Sequence, residues 1–143
     1  FQLAGRTFHE PKFATPNGRA QFKATPLPSF HPPAGQYRMM TVRSEGQFNS
    51  VVYDDEDLYR GNKTRDVVML SAADARKLHL SEGDRVRVGS SAGSMDVKAA
   101  IVDIRPGNLA MYYPEANVLV PRTLDERSKT PAFKSVAVTL TRI

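Results

Sequence analysis

Three short stretches carry side chains suited to gripping a polar, anionic ligand. The first spans residues 43–49 and holds Arg43, Gly46, Gln47, Phe48 and Asn49. Arg43 offers a planar fork that matches phosphate or a ring carbonyl. Gly46 lets a backbone approach a ligand closely. Gln47 and Asn49 each carry donors and acceptors, as the edge of a fused heterocycle requires, and Phe48 can pack on a ring. The second is Pro114-Glu115-Ala116-Asn117, where Asn117 presents another two-sided amide. The third holds Lys134, a point charge without bidentate geometry. Each residue also has an ordinary role: a polar loop, a turn-capping Asn, a solvated Lys. No catalytic or metal-binding set is evident. His9, His31 and His79 lack metal-ligand spacing, and Ser90, Ser91 and Ser94 have no nucleophile-base pattern around them. The acidic residues Asp54, Asp55, Glu56 and Asp57 lack the Gly and Glu spacing of a calcium loop and read as a solvated segment.

The elements that must position these residues are mostly short strands. Alternation predicts a strand from residue 38, with Thr41 and Arg43 on one face. A polar loop of roughly 44–65 follows, then a buried strand at 67–70. Ser71 begins a capping-box-like helix of about 72–79, with Arg76, Lys77 and His79 near its end complementing the helix dipole. Strands are expected at 85–88 and 95–99, joined by a hairpin turn over 89–93. The apolar phase shifts at Ile101 and Val102, which suggests a bulge or bend. A turn at Pro106 and Gly107 leads to a strand at 109–113, a helical turn over 114–120 with Pro114 at its first position, and a closing strand at 136–140. Six or seven short strands with one or two small helices make a mainly β barrel or sandwich. Residues 1–37 differ: they hold six of the ten prolines and read as an extended arm, with one strand at 19–24 and the body following at 38–143.

Composition narrows the function. With 143 residues, 41% hydrophobic and 24% charged, the chain suits one folded domain. It has no Cys, so thiolate zinc sites, disulfides and iron–sulfur clusters are excluded for its own residues. No apolar run approaches the roughly 20 residues of a membrane span. A cytoplasmic setting is the expectation. The net charge of +5 favours an anionic partner, but the basic residues are scattered and no nucleic-acid pattern appears.

Four motifs in order resemble one family. They are Phe13-Ala14-Thr15-Pro16-Asn17-Gly18-Arg19-Ala20-Gln21-Phe22, Thr41-Val42-Arg43-Ser44-Glu45-Gly46-Gln47-Phe48-Asn49, Met111-Tyr112-Tyr113-Pro114-Glu115-Ala116-Asn117, and residues 128–138 around Lys134. Together they resemble the C-terminal molybdopterin-dinucleotide-binding domain of the dimethyl-sulfoxide-reductase superfamily, nearest the formate-dehydrogenase-like alpha subunits. The resemblance implies a double-psi β-barrel and a bis(molybdopterin guanine dinucleotide) cofactor carrying Mo or W. It places the metal's protein ligand and the catalytic residues in preceding domains of the same polypeptide, so this chain is not expected to turn over alone. It also assigns the cofactor contacts to Arg43, Gly46, Gln47, Phe48, Asn49, Asn117 and Lys134. An alternative is an interaction module on the same barrel: residues 67–86 are similar to the substrate-recognition domain of some AAA ATPases. Fold alone does not separate the two.

Overall fold

A computed structural model describes residues 12–27, 29, 31–48 and 55–143. Contacts divide the chain into residues 1–30 and 31–143. In the first unit, Thr15 to Gly18 form a tight turn. The Gly18 N–H donates to the Thr15 carbonyl at 3.0 Å, and Gly18 takes φ +64°, a conformation that suits glycine. Residues 19–24, expected as a strand, are irregular and exposed. Within this unit they pair with no other strand among the described residues, and Phe22 is almost fully open to solvent.

The second unit is a closed six-stranded barrel. The strands are β1 (Tyr37–Val42), β2 (Val67–Leu70), β3 (Arg85–Gly89), β4 (Ser94–Ile101), β5 (Asn108–Tyr112) and β6 (Val136–Arg142). Their order around the barrel is β1-β5-β2-β4-β3-β6. Helix α1 (Ala72–Lys77) follows β2, and a 3-10 helix, η1 (Glu115–Leu119), follows β5. Exchanging β1 with β4, β2 with β5 and β3 with β6 maps every pairing onto another of the same sense. The parallel pair β1/β5 becomes the parallel pair β4/β2, and the antiparallel pair β1/β6 becomes β4/β3. Pairs β2/β5 and β3/β6 map onto themselves. This internal two-fold with interlocked parallel pairs is the double-psi β-barrel.

Side-chain alternation explains the core. All six strands contribute to one buried cluster, including Met39, Val68, Leu70, Val86, Val88, Val97, Leu109, Met111 and Val138. Alternate residues of β2 and β5 face outward and form a second cluster of Val67, Met69, Ala100, Ala110 and Tyr112. Strand β2 is therefore buried on both faces. The same outer cluster accounts for the apolar phase shift in β4. No bulge occurs, since Val67 to Leu70 pair in continuous register with Lys98 to Ile101; the strand ends at Ile101 and the chain bends at Asp103. The consecutive buried residues Ala99 and Ala100 serve the inner and outer clusters in turn.

Helix α1 is shorter than expected, ending at Lys77. Ser71 caps it, its Oγ accepting from the Asp74 N–H at 3.0 Å. His79 adopts φ +53°, and the Leu80 and His79 N–H groups reach back to the Ala75 and Arg76 carbonyls at 2.9 and 3.2 Å. These two bonds make a left-handed C-terminal cap. Helix η1 begins at Glu115, one residue beyond the expected Pro114, which acts as its N-cap residue after a cis Tyr113-Pro114 bond.

Candidate functional site

Strands β1 and β5 run parallel with Val42 opposite Tyr112, so the chain leaves the barrel at one place from both. Arg43 and the turn that follows emerge beside Tyr113 and η1. The Tyr113 N–H extends the ladder to the Val42 carbonyl at 2.8 Å. The segment before β6 joins them: the Thr41 N–H donates to the Phe133 carbonyl at 2.9 Å, and the Lys134 ammonium donates to the Thr41 carbonyl. Three stretches far apart in sequence thus meet at the carboxyl end of one parallel pair.

The individual positions differ in kind. Arg43 is exposed, with its guanidinium carbon 5.6 Å from the Tyr113 ring centroid. Gly46 lies in a turn closed by the Gln47 N–H on the Ser44 carbonyl, 3.1 Å. Phe48 is 58% exposed. Asn117 sits on η1 with its side chain exposed. Asn49 lies outside the described residues. Gln47 differs from the others: it is only 5% exposed, its Oε1 accepts from the Ser44 N–H at 3.3 Å, and its Nε2 donates to the Tyr113 carbonyl at 2.8 Å. Its amide tethers the loop after β1 to the turn after β5. Helix η1 is held from behind by the β3–β4 hairpin, where a Cβ on Gly93 would stand 2.9 Å from the Val118 carbonyl oxygen. Only glycine permits that approach.

Two groups of polar residues under this end were not apparent from sequence. Arg65 is 5% exposed. Its Nε and one terminal nitrogen meet the two Glu115 oxygens at 2.6 and 3.0 Å. The same nitrogen donates to the Tyr113 carbonyl at 2.5 Å and to Gln47 Oε1 at 3.2 Å, while the other reaches Ser44 Oγ at 3.0 Å. The guanidinium also lies over the Tyr112 ring at 4.9 Å.

The second group centres on Asp57. Expected as part of a solvated run, it is fully buried, although Asp55 and Glu56 are exposed; Asp54 lies outside the described residues. Burial is offset by partners: Arg60 pairs with its carboxylate at 2.6 Å, and the Tyr112 hydroxyl donates to it at 2.8 Å. Arg60 also donates to the Arg43 carbonyl at 3.0 Å, and Asn62 Nδ2 donates to the Tyr112 hydroxyl at 2.8 Å. Burial alone pushes the Asp57 carboxyl up, but the hydrogen bonds from Arg60 and Tyr112, with the Arg60 charge, hold its pKa below the ordinary carboxylate value. Burial, reinforced by the neighbouring Asp57 carboxylate, pushes the Tyr112 phenol up to about 12.

The arrangement offers exposed cationic, aromatic and amide groups on a braced barrel end. Among the described residues, no three His, Asp or Glu side chains are grouped to hold a metal ion, and no helix is long and apolar enough to cross a membrane.

The family model described as molydopterin dinucleotide binding domain matches residues 37–137. The chain belongs to this family. It is a molybdopterin-dinucleotide-binding domain, of the kind found in molybdopterin oxidoreductases, and the resemblance read from its motifs is borne out. It is 35% identical over 154 residues to the uncharacterized oxidoreductase Rv2900c of Mycobacterium tuberculosis, covering 98% of this chain and 20% of that protein. It is 29% identical over 157 residues to the alpha subunit of a formate dehydrogenase from Methanocaldococcus jannaschii, covering 96% of this chain and 22% of that subunit. The chain thus spans about a fifth of the length of these curated relatives. Among solved structures, acetylene hydratase from Pelobacter acetylenicus aligns with a TM-score of 0.59 at 14% identity, over 75% of this chain and 18% of that one. That likeness is one of fold.

Proposed function

We propose that residues 38–143 hold one pterin dinucleotide of a bis(molybdopterin guanine dinucleotide) cofactor, carrying Mo or W, in a formate-dehydrogenase-like oxidoreductase. Residues 1–37 are the arm leading in from catalytic domains of the same polypeptide, in a cytoplasmic enzyme. When bound, the group supplies two-electron redox chemistry at its metal, and this chain binds and orients it. The observation that carries the reading is the convergence of residues 43–48, η1 and Lys134 on the carboxyl end of the β1/β5 pair.

The residues there fit such a ligand. Arg43 matches a phosphate or pterin carbonyl through its fork. Phe48 offers a face to a ring, and Gly46 permits close approach. The Asn117 amide donates and accepts at once, and Asn49 is assigned the same chemistry. Lys134 adds positive charge beside the Thr41 carbonyl. Gln47 belongs to the site through its tether between the two loops.

The test uses the full-length holoprotein. Asn117→Ala leaves pterin groups unpaired in a water-poor setting, at about 1–3 kcal/mol per group. Bound molybdenum and pterin are expected to fall by about tenfold, with the melting temperature held, because Asn117 is exposed. Asp55→Ala, on a loop distant in role, is the control. Full cofactor content in both Asn117→Ala and Arg43→Ala would place the ligand elsewhere.

A further inference from the structure

We infer that Arg65 is a positioning residue for the pterin-facing loops: its single guanidinium locks the turn after β1 and the turn after β5 into one rigid wall. The inference rests on the proposal that the β1/β5 end holds the pterin. Arg65 itself is buried beneath the loops that carry Arg43 and Asn117. It acts through what it holds.

The geometry supports this role in three ways. First, the guanidinium spans both loops. It donates to Ser44 Oγ and Gln47 Oε1 on one side, and to the Tyr113 carbonyl and both Glu115 oxygens on the other. Arg43 and Phe48 flank the first loop, and Asn117 lies two residues beyond Glu115 in the same 3-10 helix. Secondly, the contact with Glu115 is bidentate, at 2.6 and 3.0 Å, which fixes orientation as well as distance. A lysine ammonium has the charge but not the fork. Thirdly, the pairing is closed off from water on the Arg65 side, with the Tyr112 ring beneath it. A charge buried to this degree is costly unless its geometry is well satisfied. Its placement under two ligand-facing loops, rather than within the barrel core, ties that cost to the shape of the surface above.

The pseudo-symmetric end of the barrel provides the contrast. Among the described residues, no arginine bridges two loops beneath α1, where the buried Asp74 is satisfied by Ser71 and a backbone N–H. The clamp is thus confined to the end that the family motifs occupy.

The experiment measures molybdenum and pterin per polypeptide, with melting temperature, in the full-length holoprotein carrying Arg65→Lys, Glu115→Gln or Val86→Ala. Val86 is a fully buried residue of β3, and its truncation supplies a comparable loss of stability at a site away from the loops. Arg43→Ala and Asn117→Ala report on the underlying reading. Arg65→Lys is expected to lose about tenfold of its bound cofactor, Glu115→Gln to show a smaller loss in the same direction, and Val86→Ala to retain its cofactor at matched melting temperature. A merely structural Arg65 makes Arg65→Lys and Val86→Ala lose cofactor in step with stability, which overturns the inference. If Arg43→Ala and Asn117→Ala lose cofactor while Arg65→Lys keeps it, the inference fails and the pterin site stands. If Arg43→Ala and Asn117→Ala both keep it, the site itself falls, and the inference with it.

Discussion

The two ends of this barrel are built on the same strand pairings and finished differently. Where β2 and β4 end, α1 is closed mainly, though not wholly, by local bonds. Ser71 and Asp74 satisfy each other across three residues, Asp74 also accepts from the Gly107 N–H at 2.7 Å, and the helix terminates in its own left-handed cap. Where β1 and β5 end, satisfaction is long-range. Arg65 reaches residues 18 to 50 positions away, and Tyr112 joins Asp57 and Asn62 from the loop before β2. The first end is capped mainly from within α1, with single bonds arriving from Gly107, Ile101 and Arg142. The second leaves Arg43, Phe48 and Asn117 exposed while its polar groups are braced from below. What separates the two ends is convergence: at the β1/β5 end several distant bonds meet on one buried guanidinium beneath the exposed groups.

The largest effect expected of the comparison comes from the hydroxyl of Tyr112. Tyr112→Phe removes one donor to the buried Asp57 carboxylate and leaves the Asn62 amide without that acceptor, at about 1–3 kcal/mol for a buried group so stranded. The loop carrying Arg60, which holds the Arg43 carbonyl, should loosen, and cofactor content should fall with stability. The pH dependence separates the two partners. Tyr112 has a raised pKa, about 12 when folded, so its contribution is complete below the ordinary phenol value near 10 and is lost as pH rises toward 12. Asp57 has a lowered pKa, so its contribution is present above the ordinary carboxylate value and is lost as pH falls below it. In Tyr112→Phe the alkaline loss owed to this phenol disappears, and the acid loss owed to Asp57 becomes smaller and is complete at a higher pH, because its folded pKa rises toward the ordinary value. Urea unfolding followed at acid, neutral and alkaline pH reads both limbs. Unchanged limbs would show that the Asp57–Tyr112 bond does not brace this end.

Much of the α1 end was legible in the sequence, and much of the β1/β5 end was not, for the same reason. Local bonds leave local patterns. Ser71 three residues before Asp74 marks a cap, and alternation through Arg85, Val86, Arg87 and Val88 marks a strand with one face inward. The hairpin at 89–93 is visible in its glycines, and the Ser90 N–H does donate to the Gly93 carbonyl at 2.8 Å. Arg65 leaves no such trace. Between Thr64 and Asp66 it has the appearance of a solvated residue, and its burial arises only when loops from both halves close over it. Asp57 misleads in the same way, because its acidic neighbours suggest solvent whereas Arg60 and Tyr112 draw it inside. The order of strands was likewise hidden, since β1 pairs with β5 and β6 and not with its successor. The double-psi topology came from motif resemblance, not from periodicity.

A smaller effect should distinguish the ends by its silence toward the cofactor. Ser71→Ala removes the N-cap acceptor for the Asp74 N–H and the hydroxyl that donates to the Asp74 carboxylate at 2.8 Å. Loss of such a cap costs about 1 kcal/mol. The melting temperature should fall accordingly, while molybdenum and pterin per polypeptide stay at the unmodified level. Cofactor loss in Ser71→Ala would mean that the two ends are coupled through the barrel, which would remove the division of labour between them.

The smallest expected change is a gain. His79 occupies the left-handed position that closes α1, at φ +53°. Its N–H and that of Leu80 are already spent on the Arg76 and Ala75 carbonyls, so the bonds of the cap belong to the backbone, not to the imidazole. A side chain with a Cβ is disfavoured in this conformation by about 1–2 kcal/mol, and glycine is not. Glycine also carries greater freedom in the unfolded chain, which returns about 0.4–1 kcal/mol of that advantage. His79→Gly should therefore raise stability by a net amount between about 0 and about 1.6 kcal/mol. The imidazole is exposed and its removal opens no cavity. The gain should appear as a higher urea midpoint with an unchanged slope and unchanged cofactor content. A loss of stability would show that the imidazole itself stabilises the helix end, and would make this terminus less self-contained than its backbone bonds indicate.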